Sequence, residues 1–355
     1  MRILAFCITL FISSAIVAQS SLEEADGLGD TNSPTDSVPD PVARQRVMEI
    51  LGAGGGVLLI PESTNDRVMA FDPTTGDLID PDFIPADPTN LSTPIQALAH
   101  PTNGNILVSD QIDDVVQEYD VLGNYVGVFA PAGGANTAIL DNIRGIGYGP
   151  SNTILVTVGG GANDDSVAQF DSAGNYVGNF VANGSGGLDS PFDVISRAGD
   201  YLVGGITSDA IHQYSTAGAY LSDLTPINTF PEQLYETASG NILVANFSGT
   251  EEGVVEYTST GSQVGIYDPA SLGGYRGVYE LPNGNILTTN GSGVHEIDRS
   301  GNLVETKISG VSARFISPFG VVIGGTVPTM SEKMMILFLA GLLISALFVA
   351  KKRSN

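Results

Sequence analysis

The chain is poor in positive charge, thiols and tryptophan. Of 355 residues, 14 are Lys or Arg against 39 Asp or Glu, one is Cys and none is Trp. The formal charge of −25 argues against nucleic acid as a partner, because binding phosphates needs Lys and Arg to displace counterions. Cys7 stands alone, which excludes an intramolecular disulfide framework and cysteine-based zinc spacing. Charged residues make up 15%, against ~25% in an average soluble protein, and the Ala, Glu, Lys and Leu enrichment of helical bundles is missing. No nucleophile elbow and no phosphate-binding loop occurs. What the chain does have is glycine, 44 residues of it, which suits many short strands joined by tight turns.

The two ends carry signals of their own. Residues 1–18 read Met-Arg, an apolar run and small residues near Ala15 and Ala18, the layout of a secretory signal peptide. Residues 19–50 then read as a flexible acidic leader, since Ser, Asp, Glu, Gly and Pro bury too little apolar surface to offset the entropy of ordering. At the other end, residues 334–350 are uncharged and apolar, followed at once by Lys351, Lys352 and Arg353. Seventeen residues (350 − 334 + 1) at ~1.5 Å each reach about 25 Å, the short end of a membrane span, with the basic tail on the cytoplasmic side.

The middle of the chain repeats itself. Gly104-Asn105-Ile106-Leu107-Val108 returns as Gly240-Asn241-Ile242-Leu243-Val244 and as Gly284-Asn285-Ile286-Leu287-Thr288, with looser copies at Asn152 and Gly199. Turn glycines fall at 76, 123, 174, 218, 261 and 301, spaced by 47, 51, 44, 43 and 40 residues. A period of about 40–50 with four strands per unit predicts the blades of a β-propeller. A solenoid is the alternative, but it needs capping repeats that the sequence does not show. The first unit begins at Val57-Leu58-Leu59-Ile60, which matches the second strand of the others. Its missing innermost strand is expected from residues 311–317, so that the C-terminal end closes the ring and hides its edges. The fold class is therefore all-β, a six-bladed propeller over residues 51–324, followed by a tail over residues 327–355.

Two resemblances add to this. The repeat resembles the NHL-type six-bladed propellers through Thr64-Asn65-Asp66-Arg67-Val68-Met69-Ala70-Phe71-Asp72 and through residues 104–110 and 240–246. It is similar also to the gluconolactonase and senescence-marker propellers, a likeness that implies either a binding scaffold or a metal-dependent lactonase-like hydrolase. The tail Val327-Pro328-Thr329-Met330-Ser331-Glu332, with the apolar run and basic end, resembles the IPTL-CTERM variant of the PEP-CTERM sorting signals. Lys333 and Met334 stand where that variant has Trp and Gly. The likeness implies handling by an exosortase-type sorting protease and delivery to the surface or matrix of a Gram-negative bacterium, anchored at the membrane or released.

Candidate site residues follow from the repeat. First strands line a propeller's channel, and at their starts stand Gln96, Arg144, Asp193, Glu232, Gln233 and Arg276. Ile143-Arg144-Gly145-Ile146 and Tyr275-Arg276-Gly277-Val278 match each other and fall in blades three and six, which face each other across a six-fold ring. Two facing guanidinium groups suit a small carboxylate or a carbohydrate acid, which they bind bidentately; pairing with a protein carboxylate is the competing account. Glu62, Asp110, Asn246 and Asn290 end second strands, and the lactonase likeness implies a metal set of this composition for a divalent cation such as Ca²⁺. Acids in the loops after the second strands, among them Asp66, Asp113, Asp114, Asp164, Asp165, Asp209, Glu251 and Glu252, suit either a cation-binding rim or ordinary turn capping. His100, His212 and His295 are expected at inequivalent positions, and none has a Ser or Cys partner in a recognisable motif.

Overall fold

One turn, repeated, sets the spacing of the blades. Asp120 accepts hydrogen bonds from the amides of Leu122 and Asn124, both at 2.9 Å, and the Asn124 side chain donates back to the same carboxylate. Asp171 with Asn175 and Asp298 with Asn302 repeat the arrangement. The glycine inside it holds φ at +77° in Gly123 and +75° in Gly174, where a side chain is strained. Each such turn sends the chain from the third strand of a blade into the fourth.

The computed structural model describes residues 40–320, and its strands form six four-stranded antiparallel sheets. Blade one takes β1 (Gly56–Glu62), β2 (Arg67–Phe71) and β3 (Leu78–Ile84). Blade two holds β4 (Pro94–Ala99), β5 (Ile106–Asp110), β6 (Val115–Tyr119) and β7 (Tyr125–Ala130). Blade three is β8 (Ile143–Tyr148), β9 (Ile154–Val158), β10 (Ser166–Phe170) and β11 (Tyr176–Val181). Blade four comprises β12 (Pro191–Ser196), β13 (Asp200–Gly205), β14 (Ala210–Ser215) and β15 (Tyr220–Pro226). Blade five contains β16 (Pro231–Glu236), β17 (Ile242–Asn246), β18 (Gly253–Tyr257) and β19 (Gln263–Tyr267). Blade six has β20 (Val278–Glu280), β21 (Ile286–Asn290), β22 (Gly293–Ile297) and β23 (Leu303–Ser309), and β24 (Ser317–Gly320) returns to blade one. This is the six-bladed propeller that the period predicts. The core lies between neighbouring blades: Leu155 and Val167 of blade three, for example, pack with Val194, Val203 and Tyr214 of blade four.

Closure comes from the C-terminal side as expected, but from a different segment. β24 pairs antiparallel with β1, placing Gly320 opposite Gly56 and Ser317 opposite Leu59. Of residues 311–317 only Ser317 belongs to the strand; residues 311–316 run up to it, with a bridge between Ala313 and Glu62. The shift has a physical reason. Pro318 reads as a strand terminator, yet β24 is an innermost edge strand, where a missing N–H is tolerated.

The end of the expected leader is also ordered. Residues Pro41–Gly52 form a helix, α1, in which Asp40 caps the Val42 amide at 2.9 Å and Pro41 opens the first turn, the chemistry favoured at helix starts. Val47 and Leu51 are fully buried in the first core cluster with Val57 and Phe83, contributing roughly 1.5–3 kcal/mol each. Arg44 reaches β3, with its Nε 3.2 Å from Asp80 and its guanidinium 5.3 Å above Phe83. The readings of residues 1–18 and 327–355 lie outside the described residues; among those described, no helix is long and apolar enough to cross a membrane.

Candidate functional site

The innermost strands begin irregularly, and that irregularity builds the mouth of the channel. Pairing with the second strand skips between Pro94 and Gln96, Ile143 and Ile146, Pro191 and Asp193, and Pro231 and Leu234. A skipped residue is turned away from the ladder. The six residues at this position, blade one to blade six, are Phe315, Ile95, Arg144, Phe192, Glu232 and Arg276, and all are buried. Phe192 of blade four and Phe315 of blade one sit with ring centroids 5.9 Å apart. These blades face each other, so the two rings meet across the axis. Ile95, Ile206 and Phe230 complete the apolar plug.

Arg144 and Arg276 do occupy equivalent positions on opposite blades, as their sequence contexts imply. Both are buried, at 1% and 6% exposure. Arg144 Nη1 donates to Ser190 Oγ at 2.9 Å and to the Pro191 carbonyl at 3.1 Å, with the guanidinium 4.8 Å over Phe192. Arg276 Nη1 donates to Ser312 Oγ at 2.7 Å and lies 5.7 Å over Phe247. Gly159 and Gly291 follow the second strands of these blades; a Cβ on Gly159 would come within 2.2 Å of Arg144 Nη1, whereas one on Gly291 would lie an ordinary 3.7 Å from Arg276 Nη2. A third arginine, which the sequence reading passed over, completes the layer: Arg314 Nε donates to Ser63 Oγ at 3.1 Å. Arg144, Arg276, Arg314 and Glu232 each carry further polar or electrostatic contacts within the protein. Phe192 thus contacts both Arg144 and the Phe315 ring of the opposite blade. The contacts described for Arg144 and Arg276 are to serine hydroxyls, a backbone carbonyl and aromatic rings.

Gln96, Asp193 and Gln233 sit one residue deeper and cross-brace the inner ring. Gln96 Oε1 accepts from the Ile146 amide of blade three at 2.7 Å, while its Nε2 points to Ser317 of blade one at 3.4 Å. Gln233 Oε1 accepts from Val278 of blade six and Ile316 near blade one, both at 2.9 Å, and its Nε2 donates to the Ile316 carbonyl at 2.7 Å. Asp193 accepts from Val194 in its own blade and from Leu234 of blade five, both at 2.8 Å. Burial pushes the Asp193 carboxyl up to about 7 against the two bonds that hold it down. At such a position the edge N–H groups of the inner strands would otherwise be buried without partners, which costs about 1–3 kcal/mol each.

Glu62, Asp110, Asn246 and Asn290 all end second strands, on four different blades. Their polar atoms serve nearby loops. Asp110 accepts from the amides of Ser92, Thr93, Ile112 and Asp113. Glu62 accepts from Thr64, Asn65 and Arg67. Asn246 Nδ2 reaches three carbonyls, leaving its buried Oδ1 without a hydrogen-bond partner. Asn290 joins Gly273, Ser292 and His295. Among the described residues no group of three or more His, Cys, Asp or Glu side chains could hold a metal.

The loop acids act as staples from blade to blade. Asp114 accepts from the Asn142 amide at 2.6 Å, Asp165 from Ser190 at 2.8 Å, Glu251 from Asn228 at 2.7 Å and Glu252 from Gly274 at 2.9 Å. Asp66, Asp114, Asp165 and Asp209 share φ near +50°, a conformation that Asp tolerates in turns. Asp66 is pushed up to about 7, first by burial and then by the charges of Asp110, Glu62 and Asp113. Asp110 and Asp114 are raised to about 6, chiefly by burial.

The histidines are corrected in part. His100 stands apart, its Nε2 against the Ser172 carbonyl. His212 and His295, however, are equivalent: each lies in a third strand, opposite Asp223 in blade four and Thr306 in blade six. His212 also has the Ser partner that the sequence did not reveal, Ser208 at 2.8 Å.

No protein-family profile and no curated protein matches the chain. Solved structures do. The chain superposes on one from a nidogen/laminin complex with a TM-score of 0.60 at 14% identity, covering 78% of this chain and 100% of that one. A putative gluconolactonase gives a TM-score of 0.52 at 13% identity, over 82% of this chain and 97% of that one. A gluconolactonase from Xanthomonas campestris gives 0.50 at 14% identity, over 61% and 79%. At these identities the likeness is one of fold, a six-bladed propeller.

Proposed function

We propose that the chain is an exported bacterial surface module that binds its partner along the outside of the ring. The observation that carries this reading is a repeated apolar belt. Val126, Val177, Leu221, Val264 and Val304, on the outermost strands of blades two to six, are between 51% and 60% exposed. Tyr125, Tyr176, Tyr220, Ile266 and Leu303 lie beside them, also exposed. Five copies of this exposed apolar pair, one per blade, offer weak contacts that add through multivalency. Export, anchoring through residues 334–350 and handling by a sorting protease are supported by the sequence of the two ends. The lactonase-like alternative draws on Glu62, Asp110, Asn246 and Asn290, and their commitment to local loops favours binding over it.

The test replaces Val126, Val177, Leu221, Val264 and Val304 with Ser together. Retention on cell-surface and matrix material from cells lacking the chain should fall at least tenfold while thermal unfolding is unchanged. Equal retention by the variant would remove the belt from the account. Orientation is checked separately by labelling an introduced surface cysteine in spheroplasts with an impermeant reagent, which must react if the propeller is outside.

A further inference from the structure

Blade four holds three side chains in a relay that no binding role requires. Ser208 lies in the turn from β13 to β14, and its Oγ is 2.8 Å from His212 Nε2. His212 Nδ1 lies 2.8 Å from Asp223 Oδ1 on β15, close enough to pair but without hydrogen-bond geometry, and catalytic hydrogen bonds are often poorly aligned until substrate is bound. The Tyr220 hydroxyl donates to the same Asp223 oxygen at 3.1 Å, steadying it. Gly205 makes room: a Cβ there would sit 2.1 Å from Ser208 Oγ. His212 is buried, and burial lowers its pKa against the opposing pull of Asp223, keeping the imidazole neutral and able to take a proton near pH 7.

Blade six supplies an internal comparison. His295 fills the same strand position with Nδ1 3.0 Å from Thr306 Oγ1 and Nε2 3.1 Å from Asn290 Oδ1. Packing and hydrogen bonding of the imidazole are thus met there with neither a carboxylate nor a hydroxyl facing Nε2. In blade four both are present, in the order nucleophile, base, acid. The amides of Ser208 and Asp209 donate to no acceptor among the described residues, which leaves two donors in the nucleophile's own turn for a developing oxyanion.

We propose that Ser208, His212 and Asp223 form an acyl-transfer site that hydrolyses short-chain esters. Ser208 Oγ forms a bond to the ester carbonyl carbon as its proton passes to His212 Nε2. The bond from that carbon to the alcohol oxygen then breaks, and His212 returns the proton to the departing alcohol. Water repeats the sequence on the acyl-serine: its proton goes to Nε2, the acid leaves, and Ser208 regains its hydrogen. Asp223 is a positioning residue that holds the Nδ1–H tautomer. Asp223 is 47% exposed at its side chain and Ser208 is half-buried in its turn, an open setting that suits a short acyl group of the O-acetyl type.

The experiment treats the full chain with a fluorophosphonate probe and measures p-nitrophenyl acetate hydrolysis in parallel. Wild type should be labelled once, at Ser208, and should turn over the ester. Ser208→Ala should lose both. His212→Gln should lower labelling at least 100-fold, and Asp223→Asn should lower it about tenfold and shift its pH profile. His295→Gln should label as wild type does. Gly205→Ala, which displaces the hydroxyl, should reduce labelling with the fold retained; should it fail to fold, the near-isosteric Ser208→Ala still decides. Absence of labelling in the wild type, labelling elsewhere, or ester turnover that survives Ser208→Ala overturns the proposal.

Discussion

Asp193 shows how one buried carboxylate supports several strands. It is 0% exposed and satisfies the amides of Val194 and Leu234, which belong to adjacent blades. Asp193→Ala leaves both donors buried and unmet, so stability should drop by at least about 2 kcal/mol, as read by urea unfolding with an unchanged m-value. The same residue contributes an unusual pH dependence. Asp193 and Asp66 are raised to about 7, and Asp110 and Asp114 to about 6. The folded chain therefore holds protons that the unfolded chain releases near pH 4, and stability falls as pH rises from about 4 to 7. Asp171 and Asp298 act in the opposite sense: their turn asparagines lower their pKa values, so their contribution is lost only on further acidification. The melting temperature should thus rise as pH is lowered from 8 towards about 6.5, below which the buried His100, His212 and His295, whose pKa values burial lowers, oppose the trend. A melting temperature that falls over that interval would show that these carboxyls are ionised in the folded state at no cost.

At the scale of elements, the turn glycines join blades as well as reverse them. A Cβ on Gly174 would lie 1.7 Å from the Phe129 carbonyl oxygen of blade two, and one on Gly218 or Gly261 would meet Phe180 O at 1.8 Å or Leu224 O at 2.0 Å. Each turn presses against the outer strand of the preceding blade. Gly174→Ala should therefore destabilise by more than the ~1 kcal/mol of left-handed strain, because a backbone carbonyl must also move; about 2–4 kcal/mol is expected in denaturant titration. Gly133→Ala, at positive φ but with nothing within 4 Å, should cost only the strain. The closing strand is the other critical element. Ending the chain after Ile316 removes β24 and leaves the edge of β1 open, so cooperative thermal unfolding should be lost. A truncated chain that melts in one transition near the parental temperature would rule out closure by β24.

For the whole molecule, charge is the dominant property. A formal −25 is offset inside the ring by few cations, and Arg144, Arg276 and Arg314 are buried at the mouth. Arg299 and Lys307 are committed to local pairs with Glu256, Glu280, Glu296 and Glu305. Self-repulsion then acts across the surface and is screened by salt. Raising salt from ~0.01 to ~1 M shortens the screening length from ~30 to ~3 Å, and the melting temperature should climb over that range. A fall would mean that local pairs such as Arg67 with Glu62 and Asp82 outweigh the general repulsion.

The sequence by itself determined the blade count, the turn positions and closure by the C-terminal end, because these follow from period, turn glycines and strand alternation, which are local properties. It placed Arg144 and Arg276 on opposite blades for the same reason. Only the tertiary structure decided what those arginines face. The skip at the start of each inner strand turns Phe192 and Phe315 towards the axis, and a one-residue change of register alters a side chain's face. Gln96, Asp193 and Gln233 became braces because their partners come from other blades, far away in sequence. The helix start at Asp40 and Pro41 was legible in its capping chemistry, yet α1 exists through the cluster that buries Val47 and Leu51. Ser208, His212 and Asp223 lie within sixteen residues of one another but match no motif. The pairing of β14 with β15 shifts register between Ile211 and His212, and that shift sets His212 opposite Asp223. Spacing along the chain carries no record of such a shift.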